Sequence, residues 1–126
     1  MNRQTLDKYI SQNYNTLAEY PWPKYPDYAV YRHQSNRKWF AVVMGLPKSK
    51  LGLSGDGIID VVNLKCDPLL IGSLLNDEGI YPGYHMNKSY WITLCLDGSV
   101  DADKVKWLLD LSFDLTYTMP KRKSAK

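Results

Sequence analysis

Apolar side chains recur at the three- to four-residue spacing of a helix in three parts of the chain. The first predicts a helix over residues 4–15, with Thr5 as its cap. A second, short helix is predicted to begin at Asp67 and Pro68, because Asp accepts from free backbone N–H groups and Pro has the dihedral angle of a first helical position. The third is predicted to begin near residues 99–101.

Four segments rich in β-branched and aromatic residues are bounded by turn-forming residues, which is typical of strands. They cover residues 29–33, 38–44, 58–64 and 90–96. The glycine-rich stretch 45–57 is interpreted either as a long flexible loop or as one arm of a second hairpin, and residues 80–88 as a loop. The resulting order is α-β-β-β-α-β-α. Strands between terminal helices predict an α+β domain whose antiparallel sheet is packed on those helices.

The chain has 126 residues, 44% of them apolar, which fits a single domain over residues 1–120. Residues 121–126 are predicted to form a basic, disordered tail. Residues 1–120 contain 12 of the 16 basic residues and all 13 acidic residues, which gives a net charge of −1. No apolar run approaches the ~20 residues that cross a bilayer, and the polar N-terminus lacks a signal segment. We therefore expect a cytoplasmic protein with no membrane contact.

The cysteines and histidines are the candidates for metal or covalent chemistry. Cys66 and Cys95 are expected to be reduced core residues, with a disulfide as the alternative. Two Cys and two His at scattered spacing predict neither a metal site nor a cofactor. His33 is expected on a strand surface. An enzyme that uses Cys66 as nucleophile and His85 as base is the catalytic alternative to our prediction of a non-enzymatic protein.

The basic residues suggest a partner. Residues 32–50 contain five cations and no acid, and the loop near residues 65–88 carries a second group. Such side chains neutralise phosphates, so double-stranded DNA is the first predicted partner, bound mainly through its backbone. The candidate contacts are Arg32, Arg37, Lys38, Lys48, Lys50, Lys65, His85 and Lys88.

The aromatic loop 80–91 supports a different prediction. Tyr and Trp combine apolar area with a polar tip and are favoured at binding surfaces. The alternative function is therefore an adaptor for a protein or an anionic small ligand. Its candidate residues are Tyr81, Tyr84, Asn87, Tyr90 and Trp91. If the lysines at 65 and 88 point into a concave pocket lined by Tyr and Trp, an anionic ligand is favoured, whereas a convex surface favours DNA.

Several motifs resemble the MmcQ/YjbR family of small bacterial proteins. They are Arg37-Lys38-Trp39-Phe40-Ala41, Leu64-Lys65-Cys66-Asp67-Pro68, Tyr81-Pro82-Gly83-Tyr84-His85-Met86-Asn87-Lys88-Ser89-Tyr90-Trp91-Ile92 and Leu111-Ser112-Phe113-Asp114-Leu115. The resemblance covers roughly residues 28–116. In many family members a basic residue and a histidine precede the tryptophan, where this chain has Ser89 and Tyr90.

The resemblance implies a CyaY-like α+β fold and DNA binding through a double wing of hairpins. The wings would lie at Arg37 and Lys38 and at Lys48 and Lys50. Iron binding, known for CyaY relatives, is not implied, because the first helix offers only Asp7 to an acidic ridge. The resemblance implies no catalytic residues.

Overall fold

The computed structural model describes residues 1–117 and contains three α-helices and five strands. The predicted tail, 121–126, lies outside the described residues. Within them, no helix is long and apolar enough to span a bilayer. In chain order the elements are α1 (Arg3–Tyr14), β1 (Ala29–Arg32), β2 (Trp39–Pro47), a 3₁₀-helix (Lys48–Leu51), β3 (Ile58–Lys65), α2 (Pro68–Leu74), β4 (Ile80–Pro82), β5 (Trp91–Cys95) and α3 (Ala102–Thr116).

The predicted order lacks one element, the short strand β4. Residues 80–82, predicted as loop, pair antiparallel with β5. β4 is the outer strand of the sheet, whose order is β1-β2-β3-β5-β4. An outer strand tolerates Pro82, which cannot donate a backbone hydrogen bond. Residues 45–47 continue β2 and pair with β3, as the hairpin alternative predicts, whereas residues 48–57 form a 3₁₀-helix and a connecting loop.

The helix starts follow local capping chemistry. Asn2, not Thr5 as predicted, is the cap of α1: its side chain accepts from the Thr5 N–H at 2.9 Å, and the Thr5 hydroxyl accepts from the Asn2 N–H. This reciprocal pair satisfies two free N–H groups. The prediction for α2 is confirmed, because the Asp67 carboxylate accepts from the Leu69 N–H and Pro68 is the first helical residue.

The two faces of the sheet differ in what covers them. Helices α1 and α3 pack on one face through fully buried side chains such as Leu6, Ile10 and Leu109. The predicted packing of the sheet on the terminal helices is therefore confirmed. The other face, which we call the open face, carries a smaller apolar cluster that includes Val42, Met44 and Val61, partly covered by loops. These residues alternate along the strands with those that face the helices.

The two cysteines are free and buried, as predicted for core residues, and burial raises the pKa of both thiols, that of Cys95 to about 11. The prediction for His33 is wrong. Its ring is 3% exposed and contacts Phe40 and Phe113, because the turn after β1 folds under the end of α3. Burial lowers the pKa of His33.

Candidate functional site

The basic run at 32–50 is divided between opposite ends of the sheet. Arg37 and Lys38 precede β2, whereas Lys48 and Lys50 follow it. The strand between them spans ~26 Å at ~3.3 Å per residue. At the far end, Lys48 lies near Asp97, whose pKa is lowered mainly by hydrogen bonds from Ser99 and also by this lysine. The two predicted wings are therefore not one continuous basic surface.

The near end of the sheet gathers Arg32, Arg37, Lys38 and Lys65. Antiparallel register places Arg32 opposite Trp39, and Lys65 opposite Trp91. The Arg32 guanidinium lies 6.0 Å from the Trp39 ring centroid. The Lys65 ammonium lies 5.6 Å from the Trp91 ring and 5.5 Å from that of Tyr90. Cations and aromatic rings thus alternate across the end of the open face, within cation–π distance.

A concave pocket of 290 Å³ opens at this end and is called the cationic pocket here. It is lined by Arg37, Lys38, Trp39, Lys65, Trp91 and Thr116. No acidic residue lines it. The charged groups come from the β1–β2 turn and from the end of β3, while the two indole rings supply apolar walls. The pocket combines concave shape, positive charge and aromatic surface.

Ser112 of α3 holds the two strands apart at the cationic pocket. Continuing the β2–β3 register beyond Ala41 and Leu64 would pair Phe40 with Lys65. Instead, the fully buried Ser112 hydroxyl accepts from the Lys65 N–H at 2.8 Å and donates to the Phe40 carbonyl at 2.6 Å. A side chain thus replaces a direct strand-to-strand hydrogen bond, and the strand ends separate around it.

The end of α3 also fixes the β1–β2 turn. The Asn36 side chain donates to the Thr116 carbonyl at 2.9 Å and accepts from the Lys38 N–H at 2.9 Å. This satisfies a carbonyl in the last turn of the helix, which lacks a partner within the helix. The Thr116 hydroxyl donates to the Ser112 carbonyl at 2.7 Å, so it accepts from Nε2–H of His33, at 2.8 Å. These bonds position the two cations of the turn.

A second cavity, of 240 Å³, adjoins the first on the open face and shares Trp39 with it. We call it the aromatic cleft. It is lined by Trp22, Tyr25, Tyr28, Trp39, Val42, Met44, His85 and Met86. The Pro-rich segment 20–28 forms one side, where Trp22 packs edge-to-face on Trp39 at 5.6 Å. The 83–87 loop forms the other side, where the His85 ring stacks on Tyr84 at 4.1 Å.

Two buried polar residues hold the 83–87 loop over the sheet. The Thr93 hydroxyl donates to the Asn63 side chain and accepts from the Tyr84 N–H at 2.8 Å. The Asn63 amide donates to the Tyr84 carbonyl at 3.0 Å. Both polar residues are fully buried, and each of their polar side-chain atoms has a hydrogen-bond partner within the network. Sequence reasoning missed Asn63 and Thr93, although polar side chains within apolar strands were a signal that could have identified them.

Two site residues have left-handed backbone conformations. Arg37 has φ 64° and His85 has φ 59°. A side chain other than that of Gly costs roughly 1–2 kcal/mol in this conformation. One lies in each of the two loops that flank the site. Strain retained in both loops is typical of functional positions.

Glu19 sets the charge balance on one side of the site. Its carboxylate pairs with Arg32 at 3.0 Å and with Arg37 at 3.5 Å. Among residues 1–117, Lys38 and Lys65 have no ion pair. The two lysines therefore carry the uncompensated charge of the cationic pocket.

The structure separates several other predicted site residues. Lys88 is exposed on the loop and does not line the cationic pocket, while the Asn87 side chain accepts from the Ser89 N–H at 2.9 Å and forms a turn. Cys66 is 2% exposed and packs on the helix side, whereas His85 lies on the open face. The structure therefore does not bring together the nucleophile and base of the catalytic alternative.

The profile of the YjbR family matches residues 12–115, a range that contains every residue lining the two cavities except Thr116. The chain belongs to the YjbR family. A Bacillus subtilis (strain 168) relative, "Uncharacterized protein YyaQ", is 43% identical over 116 residues, covering 92% of this chain and 98% of the relative. This confirms the family identified from the motifs.

Solved structures show the same fold as this YjbR protein. A crystal structure of a Pseudomonas syringae protein is 48% identical, covers 93% of this chain and 100% of its own, and has a TM-score of 0.91. A solution NMR structure from the same organism is 45% identical, covers 98% of this chain and 99% of its own, and has a TM-score of 0.88. A Deinococcus radiodurans protein, 24% identical, covers 98% of this chain and 83% of its own, with a TM-score of 0.71, and shows the fold alone.

Proposed function

We propose that this YjbR protein is a non-enzymatic binding module and that the cationic pocket binds an anionic small ligand. The convergence of Arg37, Lys38 and Lys65 on a concave site between two indole rings carries this proposal. The domain through residue 120, with these cations included, has a net charge of −1, so the positive charge is local. This is the arrangement that favours a compact anion over an extended polyanion.

Phosphate is the anion that the lining chemistry fits best. A guanidinium offers a planar fork of donors, and two ammonium groups add point charges. A ligand phosphate would compete with Glu19 for Arg37, which is free to turn because its side chain is 60% exposed.

Titration with inorganic phosphate tests the proposal. The readout is the indole N–H signals of the four tryptophans in nuclear magnetic resonance spectra. We expect those of Trp39 and Trp91 to shift with phosphate, and that of Trp107, on α3 away from the pocket, to stay in place. Lys65→Gln should weaken binding about tenfold, as expected for a lost charge-assisted contact.

Lys50→Gln is the matched control, because it removes the same charge at the opposite end of β2. It should bind phosphate as the wild type does. Equal weakening by both lysine variants would show general charge attraction instead of a site. No shift at any phosphate concentration would rule out the proposal.

Binding of double-stranded DNA through its phosphates is the second candidate. It is favoured by the exposure of Arg37 and Lys88 on the two loops that flank the same end of the sheet. Affinity for duplex DNA should then fall steeply with salt, because bound cations release counterions. Arg37→Glu combined with Lys38→Glu should abolish binding, whereas Lys48→Glu combined with Lys50→Glu tests the far loop as a second wing. Absence of affinity at low salt would exclude this candidate.

A further inference from the structure

The aromatic cleft is not needed to bind a phosphate, and its position suggests what else the ligand contains. It adjoins the cationic pocket and shares the Trp39 ring with it. The two cavities measure 290 and 240 Å³. Each is smaller than the ~300–1,000 Å³ of typical small-molecule sites, whereas the pair falls within that range. One ligand that spans both would use the full site.

The lining of the cleft fits a flat, mainly apolar group. Its walls are rings, two thioethers and the Val42 side chain, and none of its lining residues is Lys, Arg, Asp or Glu. Aromatic walls bind planar rings by stacking, at ~1–3 kcal/mol per nucleic-acid base. His85 and the hydroxyls of Tyr25 and Tyr28 are polar groups of the lining residues that are available to the edge of such a ring.

We infer that the ligand is a free mononucleotide, with its phosphate in the cationic pocket and its base in the aromatic cleft. This rests on the proposed anion-binding function and adds the base to it. The shared Trp39 lies where the sugar would join the phosphate to the base. A single phosphate is sufficient, because the cations are confined to one end of the site.

The same charge distribution disfavours a longer nucleic acid. A strand lying along the cleft would place further phosphates against a lining that contains no Lys or Arg. Proteins that bind single strands combine stacking rings with cations along the backbone path. Among the residues that line the two cavities, the rings continue into the cleft and the cations do not, which favours a monomer.

Binding of adenosine 5′-monophosphate, ribose 5-phosphate and inorganic phosphate to the full chain tests the inference. The affinities come from calorimetry, and the tryptophan indole signals report the location. All three ligands should shift the signals of Trp39 and Trp91. The mononucleotide alone should also shift that of Trp22, and should bind at least about tenfold more tightly than ribose 5-phosphate, or ~1.4 kcal/mol.

Trp22→Leu and Trp107→Leu form a matched pair, since both remove one indole and only the first lies in the cleft. Trp22→Leu should remove the advantage of the mononucleotide over ribose 5-phosphate while leaving phosphate affinity unchanged. Trp107→Leu should change neither. An unchanged phosphate response also shows that the variant is folded around the pocket.

The outcomes separate the two proposals. If the mononucleotide and ribose 5-phosphate bind equally and the Trp22 signal does not move, the inference is overturned while anion binding stands. If no anion binds, both are overturned. Thymidine oligonucleotides whose affinity rises with length beyond that of the monomer would identify single-stranded nucleic acid as the ligand and overturn the commitment to a mononucleotide.

Discussion

Removing the Ser112 hydroxyl should destabilise the domain and alter the cationic pocket together. In Ser112→Ala, the Lys65 N–H and the Phe40 carbonyl both lose a hydrogen-bond partner. Ser112 and Phe40 are fully buried, so water does not replace the hydroxyl. A buried polar group left without a partner costs ~1–3 kcal/mol. Because the strand ends can close partly, we expect the free energy of unfolding to fall by about 2–4 kcal/mol.

Chemical denaturation followed by circular dichroism measures this loss, and phosphate titration measures the second effect. Closure of the strand ends brings Lys65 toward Trp39 and narrows the space between them. We therefore expect weaker phosphate binding and smaller shifts of the Trp39 and Trp91 indole signals. Ser73→Ala is the control, because Ser73 is exposed on α2 and a surface change of this kind is worth at most ~0.5 kcal/mol.

An unfolding free energy within ~0.5 kcal/mol of the wild type, together with unchanged phosphate affinity, would refute this reasoning. It would mean that the hydroxyl is not what separates β2 from β3. A loss of stability with unchanged affinity would separate the two effects and show that the pocket does not depend on the strand opening.

Three further predictions concern the backbone, pH and charge. Gly83→Ala would place a Cβ 2.9 Å from the Trp91 carbonyl oxygen, so chemical denaturation should show that the free energy of unfolding falls by ~1–3 kcal/mol. Gly72→Ala is the control, because this glycine has open space on α2, and it should raise the free energy of unfolding by up to ~1 kcal/mol. Equal effects of the two variants would contradict the close approach at Gly83. Burial lowers the pKa of His33 from its usual 6.5, so below about pH 6.5 the unfolded state binds a proton that the folded state does not, and stability should fall as the pH drops from about 7.5 to 5. Denaturation of His33→Gln should show a weaker pH dependence, and an identical one would disprove this origin. Glu19→Gln should tighten phosphate binding several-fold at low salt by freeing the two arginines it pairs with, and weaker binding in the titration would count against a cationic site.

Local chemistry made the helices and most strands predictable from the sequence. Asp67 and Pro68 begin α2 because capping and a fixed dihedral act between neighbouring residues. β4 could not be predicted, because its three residues are a strand only where β5 offers hydrogen-bond partners. The same holds for His33, whose burial depends on the end of a helix about 80 residues later in the chain.

The candidate site shows the same division. The sequence indicated the cations and the aromatic loop, and two of its candidates, Lys65 and Trp91, line the cationic pocket. It also grouped Lys48 and Lys50 with Arg37 in one basic run, because these residues are close along the chain. An extended strand carries neighbours in sequence to opposite ends of a sheet.

Spacing and capping by themselves determined the α+β class, composition determined the inventory of charged and aromatic side chains, and the motifs identified the family. Only the tertiary structure decided which of them meet. Antiparallel register set Arg32 against Trp39 and Lys65 against Trp91, and Ser112 opened the strands beside them. Short-range interactions are encoded within a few residues, whereas a pocket requires groups that are distant in the chain, and their meeting is settled by strand order and packing.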